Sequence, residues 1–291
     1  MVTVPRKSLD NGFSMPVYGM GTWQVGGRFE RNPENDDAAD VAAIRKALDL
    51  GITHFDTAEL YAGTHAEQLL GEALSGADRS SLFLVSKASP KNHRPDDLRR
   101  SFEASCERMG TDYLDLYMLH RYNSSVPLDE TMDALCSLVD EGRLIHPAIS
   151  NFSVKRMIEA QSVSRHKIVA NQLHYNLQVR EVEYEGLLDH CQKNDVMLIA
   201  WGPVQKGALH FNASILVDVA KKYDRTPAQI AINWLTSQRS VVTLSKTRSI
   251  AHMQENLGAL DFTMDDADIE LLRKEMPGQL KRSDRLPLDY S

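Results

Sequence analysis

Cysteine is scarce: Cys106, Cys136 and Cys191 are the only three in 291 residues. They lie too far apart for a disulfide framework or a Cys-rich zinc site, so a reducing cytoplasm is the expected compartment. Long apolar runs are missing as well. The longest, residues 196–201, falls far short of the ~20 residues that span a bilayer, and residues 1–12 contain no apolar core of a signal peptide. Basic charge is not in excess either. The 33 basic and 40 acidic residues give a net charge of −7, which leaves no electrostatic footprint for nucleic acid or an anionic membrane. Glycine-rich nucleotide motifs are also wanting. Gly19-x-Gly21 is followed by Gln24 where a dinucleotide fingerprint has its third glycine, and the stretch 202–207 lacks the Lys-Ser/Thr of a P-loop. Any anion must therefore be held by a local pocket rather than by a Rossmann half or an overall field.

What is present is ordinary globular material, 42% hydrophobic and 25% charged, in a pattern of alternating elements. Apolar, β-rich runs occur at 53–56, 82–87, 114–120, 145–150, 169–173, 196–201 and 241–244, each separated from the next by helical periodicity. An eighth fits 18–21, preceded by a short hairpin turning at Asp10-Asn11-Gly12. With no composition break or linker, eight repeats predict one (β/α)8 TIM barrel over 1–291, with an N-terminal β-hairpin and a helical C-terminal extension from Thr263. Helix signals agree with this count. Thr64-x-x-Glu67 reads as a capping box, Pro95 opens and Gly110 closes another helix, and Thr226-Pro227-Ala228-Gln229 combines cap, N1 proline and N3 partner.

Barrel enzymes build their sites where the strands end. Asp56, Lys87 and His120 each terminate an apolar run, and Tyr61 follows Asp56 by five residues. Singly each has a structural explanation; together, three consecutive strands deliver ionisable groups to one rim. An ammonium ~4 Å from a phenol is worth about 4 kcal/mol at an effective dielectric of 20, so Lys87 is expected to draw the Tyr61 pKa from ~10 toward neutrality. Tyr61 then reads as a proton donor, Asp56 as the group orienting Lys87, and His120 as a polariser of a carbonyl oxygen. His54-x-Asp56 puts two potential metal ligands on one strand face, but Lys87 at the same rim opposes a cation. His174 and His190-Cys191 lack partners at ligand spacing, so no metal is expected.

These residues resemble the aldo-keto reductases. The resemblance rests on 19–23 (GMGTW), 51–61 (GITHFDTAELY), 85–87 (VSK), 112–120 (DYLDLYMLH), 149–152 (ISNF), 171–176 (NQLHYN) and 246–249 (KTRS), seven matches in order over nearly the whole chain. It implies a nicotinamide cofactor, usually NADPH, and reversible reduction of aldehydes or ketones, with Asp56, Tyr61, Lys87 and His120 as the catalytic tetrad. It places Ser150, Asn151 and Gln172 on the nicotinamide carboxamide and Trp201 beneath the ring. Gly202, Pro203, Val204 and Lys206 fall in the segment covering the pyrophosphate. Ser245, Lys246, Thr247 and Arg248 match the grip on the 2′-phosphate, and Glu255 and Asn256 the adenine contacts.

His252 stands where many members carry an arginine, which keeps NADPH as the expected cofactor but leaves use of NADH open. Trp23, with Tyr61 and His120, is implied at the substrate, a small carbonyl compound, and Arg121, just beyond His120, is placed to reach the same pocket. Two other classes compete: a cofactor-binding regulatory subunit on the same barrel, and a Schiff-base lyase or isomerase using Lys87.

Overall fold

The computed structural model describes residues 3–289, apart from the side chain of Lys206. Strands β1 (Arg6–Ser8) and β2 (Ser14–Pro16) pair antiparallel around the expected hairpin turn. Eight parallel strands follow: β3 (Tyr18–Gly21), β4 (His54–Asp56), β5 (Phe83–Ala88), β6 (Leu114–Leu119), β7 (Leu144–Ser150), β8 (Ala170–His174), β9 (Met197–Trp201) and β10 (Val241–Ser245). They close in chain order, β10 lying beside β3 with Thr243 opposite Tyr18. The expected barrel is thus the observed one. Every residue of β5 is buried, as a strand enclosed between a filled interior and an outer helix layer must be.

The hairpin plugs the end of the barrel where the strands begin. Lys7 Nζ donates to the carbonyls of Thr236, Gln238 and Val241 at 2.6, 2.5 and 2.7 Å. Asp195, just ahead of β9, accepts the backbone N–H groups of Asp10 and Asn11. Inside, Gly19 leaves room for the His54 ring, since a Cβ there would lie 2.4 Å from Nδ1.

The local signals mostly behave as read. Thr226 and Gln229 form the reciprocal capping box of helix Pro227–Thr236, and Gly110, at φ 65°, ends helix Pro95–Met109. The capping box expected at Thr64 does not form. Thr64 is left-handed at φ 80° with no capping hydrogen bond, and Glu67 instead turns inward, where it accepts from Ser86 Oγ at 2.5 Å and Arg108 Nε at 2.7 Å. The C-terminal extension is helical only as far as Glu275. Beyond it the chain becomes an irregular strap, held where Leu280 bridges Val179 and Ser283 N donates to Glu181.

Candidate active site

The strand ends open into a cleft of about 800 Å³ that runs from Trp23 and Tyr61, across Trp201, to Lys246 and Glu255. At its barrel end β4 and β5 bring Asp56 and Lys87 together. Lys87 is wholly buried, and its ammonium donates to Asp56 Oδ1 at 2.5 Å and to the Thr57 carbonyl at 2.7 Å. Gln172 Nε2, from β8, donates to the other carboxylate oxygen at 2.7 Å. Burial opposes the charge on Lys87, but Asp56 and then Tyr61 more than offset this and hold its pKa above the ordinary lysine value.

Tyr61 starts the turn Tyr61–Thr64, in which Ala62, Gly63 and Thr64 all have positive φ and Ala62 N donates to the Arg28 carbonyl. That sharp turn points the phenol back over the rim. Lys87 Nζ sits 5.2 Å from the Tyr61 ring centroid, while the rings of Trp23 and His120 lie 5.0 and 5.7 Å away. Here the electrostatic expectation is corrected. Burial raises the Tyr61 pKa, and the lowering by Lys87 does not overcome it because Asp56, already salt-bridged to that ammonium, raises it too. The phenol is held protonated. His120 is held neutral, since burial first and then the charges of Lys87 and Arg121 push its pKa far below the usual histidine value.

Past β7, Asn151 takes a left-handed φ of 59°, and its Nδ2 donates to the His120 carbonyl at 3.1 Å and to Ser150 Oγ at 2.8 Å. Ser150 Oγ donates onward to the Gln172 carbonyl at 3.1 Å. Asn151 Oδ1 remains buried with no hydrogen-bond partner. A buried acceptor of this kind calls for a donor, and the amide N–H of a nicotinamide carboxamide supplies one. Trp201, half-buried at the end of β9, lines the cleft beside it. The residues therefore fit the ring end of a nicotinamide nucleotide. Gln172 spends its amide nitrogen on Asp56, an orienting role that the sequence reading did not assign.

Gly202, Pro203 and Val204 line the middle of the cleft; Lys206 lies in the same turn with its side chain outside the described residues. At the far end, Ser245 shares a buried hydrogen-bond triad with Tyr18 and Asn256, whose Nδ2 reaches Ser245 Oγ at 3.1 Å. Glu255 accepts from Thr226 Oγ1 at 2.7 Å. Lys246, Thr247 and His252 line this end. Burial and repulsion from Arg248 keep the Lys246 pKa below the ordinary lysine value. Arg248 itself stands apart from the cleft wall. Its guanidinium grips buried Asp40, with Nε to Oδ1 at 2.5 Å and Nη2 to Oδ2 at 2.7 Å, and Nη2 also donates to Asn35. Arg121 lines the same cleft. So do Arg28, Phe29, Arg285 and Leu286, which lie in loops without periodicity and carried no sequence signal.

Residues 18–275 match the family model described as "Aldo/keto reductase family". Among curated proteins, the chain is 34% identical to methylglyoxal reductase YeaE of Escherichia coli (strain K12), covering 91% of this chain and 92% of that one. It is 29% identical to glyoxal reductase of Bacillus subtilis (strain 168), over 90% and 89% of the two chains. Among solved structures, it resembles a thermostable aldo-keto reductase, Tm1743, in complex with epalrestat, at TM-score 0.89 and 37% identity over 92% of this chain and 98% of that one. The aldo/keto reductase from Klebsiella pneumoniae in complex with NADP and acetate matches at TM-score 0.83 and 32% identity, over 99% and 100% of the two chains. With a family match across most of its length, a closed eight-stranded barrel and a cleft ringed by Asp56, Tyr61, Lys87 and His120, this chain belongs to the aldo/keto reductase family, oxidoreductases that interconvert carbonyls and alcohols with NADP(H).

Proposed function

We propose that the chain, as one catalytic domain, reduces small aldehydes and dicarbonyls with NADPH, using Tyr61 as the proton donor. The observation that carries this reading is the convergence at the mouth of the cleft of the Tyr61 phenol, the buried Lys87 ammonium 5.2 Å from its ring and the His120 ring 5.7 Å away, with Asp56 holding the ammonium. Bound NADPH supplies the hydride. Tyr61 gives its proton to the carbonyl oxygen, and Lys87, fixed by Asp56 and Thr57, stabilises the phenolate left behind. His120, without a proton to spare beyond its neutral tautomer, orients the carbonyl oxygen toward Tyr61. Ser150 and Asn151 hold the carboxamide, Trp201 backs the ring, and Trp23, Tyr61, His120 and Arg121 wall the substrate.

The chemistry of the lysine argues against a Schiff-base enzyme. An amine hydrogen-bonded to a carboxylate and a carbonyl, with its pKa raised, is an ammonium and a poor nucleophile. Small dicarbonyls are favoured because the relatives named for methylglyoxal and glyoxal are similar over nine-tenths of this chain. Three buried, unpaired cysteines suit a reducing cytoplasm. The test is a panel of methylglyoxal, glyoxal, aryl aldehydes and ketones, assayed by loss of reduced-nicotinamide absorbance with NADPH and NADH in parallel. Turnover of dicarbonyls with NADPH at a kcat/KM above that of the ketones is the expected result. No turnover with any aldehyde overturns the assignment.

A further inference from the structure

Outside the tetrad, one buried side chain touches both walls of the cleft at once. His174 ends β8 and Trp201 ends β9, and the two are register partners across the ladder. Their rings stack at 3.9 Å between centroids, 7° from parallel, so the imidazole covers one face of the indole, and Trp201 lines the cleft where His174 does not. Gly202, at φ 74°, keeps this stack close, since a Cβ there would come within 3.3 Å of His174 Nε2. Both ring nitrogens are in use. Nε2 meets Gln205 Oε1 at 2.9 Å, in the turn that follows the middle of the cleft, and Nδ1 meets Ser283 Oγ at 2.8 Å, in the C-terminal strap.

The donors can be assigned. Gln205 Oε1 only accepts, and it also takes Asn176 Nδ2 at 3.3 Å, so His174 carries its proton on Nε2. Nδ1 meets the Ser283 hydroxyl, with Asp284 Oδ1 3.9 Å from the same nitrogen. The Ser283 oxygen also accepts the backbone N–H groups of Arg285 at 3.2 Å and Leu286 at 3.1 Å. The turn that brings Arg285 and Leu286 to the cleft wall is therefore tied, through the Ser283 hydroxyl, to the ring that stacks on Trp201.

We propose that His174 is a positioning residue that couples cofactor occupancy to the substrate wall. A nicotinamide stacked on the cleft face of Trp201 presses the indole against His174, fixes the imidazole, and with it orders the 283–286 turn before the carbonyl arrives. This rests on the stacking of the nicotinamide on Trp201 proposed above. Binding energy spent on ordering one element lowers the cost of the next, so the coupling acts as positive cooperativity between nucleotide and carbonyl.

The experiment compares wild type with S283A, which cuts the strap link together with the turn's own hydrogen bonds from Arg285 N and Leu286 N, and H174F, which keeps a ring on Trp201 and the turn's own hydrogen bonds but removes both links to the imidazole. Amide exchange of the strap is measured with and without NADP+, nucleotide binding is followed by tryptophan fluorescence, and KM is separated from kcat. In wild type, NADP+ is expected to slow exchange at Arg285 and Leu286 by fivefold or more. In H174F that slowing disappears although NADP+ still quenches the fluorescence, and the carbonyl KM rises about five- to tenfold while kcat changes far less; in S283A exchange at these amides is fast with or without NADP+. NADP+-dependent slowing retained in H174F, with a wild-type KM, overturns the proposal. If H174F does not fold, H174L, which also leaves the Ser283 turn intact, decides. A wild-type protein that neither binds NADP(H) nor reduces an aldehyde would instead count against the reading of the site, and would be seen before any variant is made.

Discussion

At the barrel end of the cleft the ionic groups are sunk into the fold and matched to one another: Lys87 is fully buried and Asp56 has a partner on each oxygen. Beyond β10 the cations are arranged otherwise. Arg248, 39% exposed at its side chain, is spent on buried Asp40, and Lys246 is left to face the cleft with Thr247 and His252. The first region is set before any ligand arrives, as a site that must stabilise developing charge has to be. The second is a binding surface in contact with water, where charges are screened and partners exchange. The difference implies that substitutions at the barrel end act on chemistry and on folding together, whereas beyond β10 the two separate, Lys246 acting on nucleotide affinity and Arg248 on stability.

The sharpest way to break that division is Tyr61→Phe. Loss of a positioned proton donor is expected to lower reductive kcat by about 10²–10⁴-fold, with NADPH affinity within roughly twofold of wild type. Single-turnover reduction together with nucleotide titration separates the two; a kcat near wild type would remove Tyr61 from its role. The same residue fixes a pH profile. A phenol whose pKa is raised stays protonated through neutrality, so kcat/KM for reduction should be flat there and fall only in alkali. A fall centred near pH 7 would mean that the donor is another group.

Lys87→Met comes next. It leaves the Asp56 carboxylate buried with Gln172 as its remaining partner, and breaking a buried pair in this way typically costs about 3–5 kcal/mol. Urea unfolding should show that loss together with the loss of activity. An inactive variant of wild-type stability would show that the pair serves chemistry alone.

Beneath the tetrad, His54 tests whether the floor of the site is part of the same rigid unit. Burial holds its pKa down at about 4, and neither ring nitrogen has a hydrogen-bond partner among the described residues. A histidine whose folded pKa lies below its unfolded value of ~6.5 contributes stability that is complete above pH 6.5 and is lost as pH falls toward 4. Between pH 7 and 4.5 that amounts to roughly 2–3 kcal/mol. His54→Leu should make unfolding less steep in acid by that much, and equal slopes for the two proteins would place the acid sensitivity elsewhere.

The barrel and the tetrad were legible because each leaves a one-dimensional trace. Eight apolar runs of strand length alternate with helical periodicity, and each tetrad residue either ends such a run or follows it by five residues. Partner choice leaves no such trace. Nothing in the order of residues says that Gln172 will turn its amide to Asp56, 116 positions away, or that Arg248 will reach across 208 positions to Asp40. The Tyr61 pKa was misjudged for a related reason: the attraction of Lys87 can be estimated from a pair, but burial and the competing carboxylate belong to the assembled site. Glu67 failed as a cap because the left-handed turn after Tyr61 leaves Thr64 out of capping geometry, and because Arg108, 41 residues on, offers a buried charge a better partner.

The smallest effect concerns the two cations after β10, which sequence alone treats as equals. Lys246 faces the cleft, so Lys246→Gln should weaken NADPH about tenfold, close to 1.4 kcal/mol, while leaving NADH nearly unchanged, because only NADPH brings a 2′-phosphate. Arg248 gives its guanidinium to Asp40 and Asn35, so a phosphate would have to compete with a buried carboxylate for it. Arg248→Gln should then shift the NADPH-to-NADH affinity ratio by no more than about twofold and appear instead as a modest loss of thermal stability, since Asp40 keeps only Asn35 and the Gly26 amide as partners. Titrating both nucleotides against both variants at two salt concentrations decides the matter. Equal loss of NADPH affinity in the two variants would mean that Arg248 leaves Asp40 when the nucleotide binds, and that this end of the cleft rearranges where the barrel end does not.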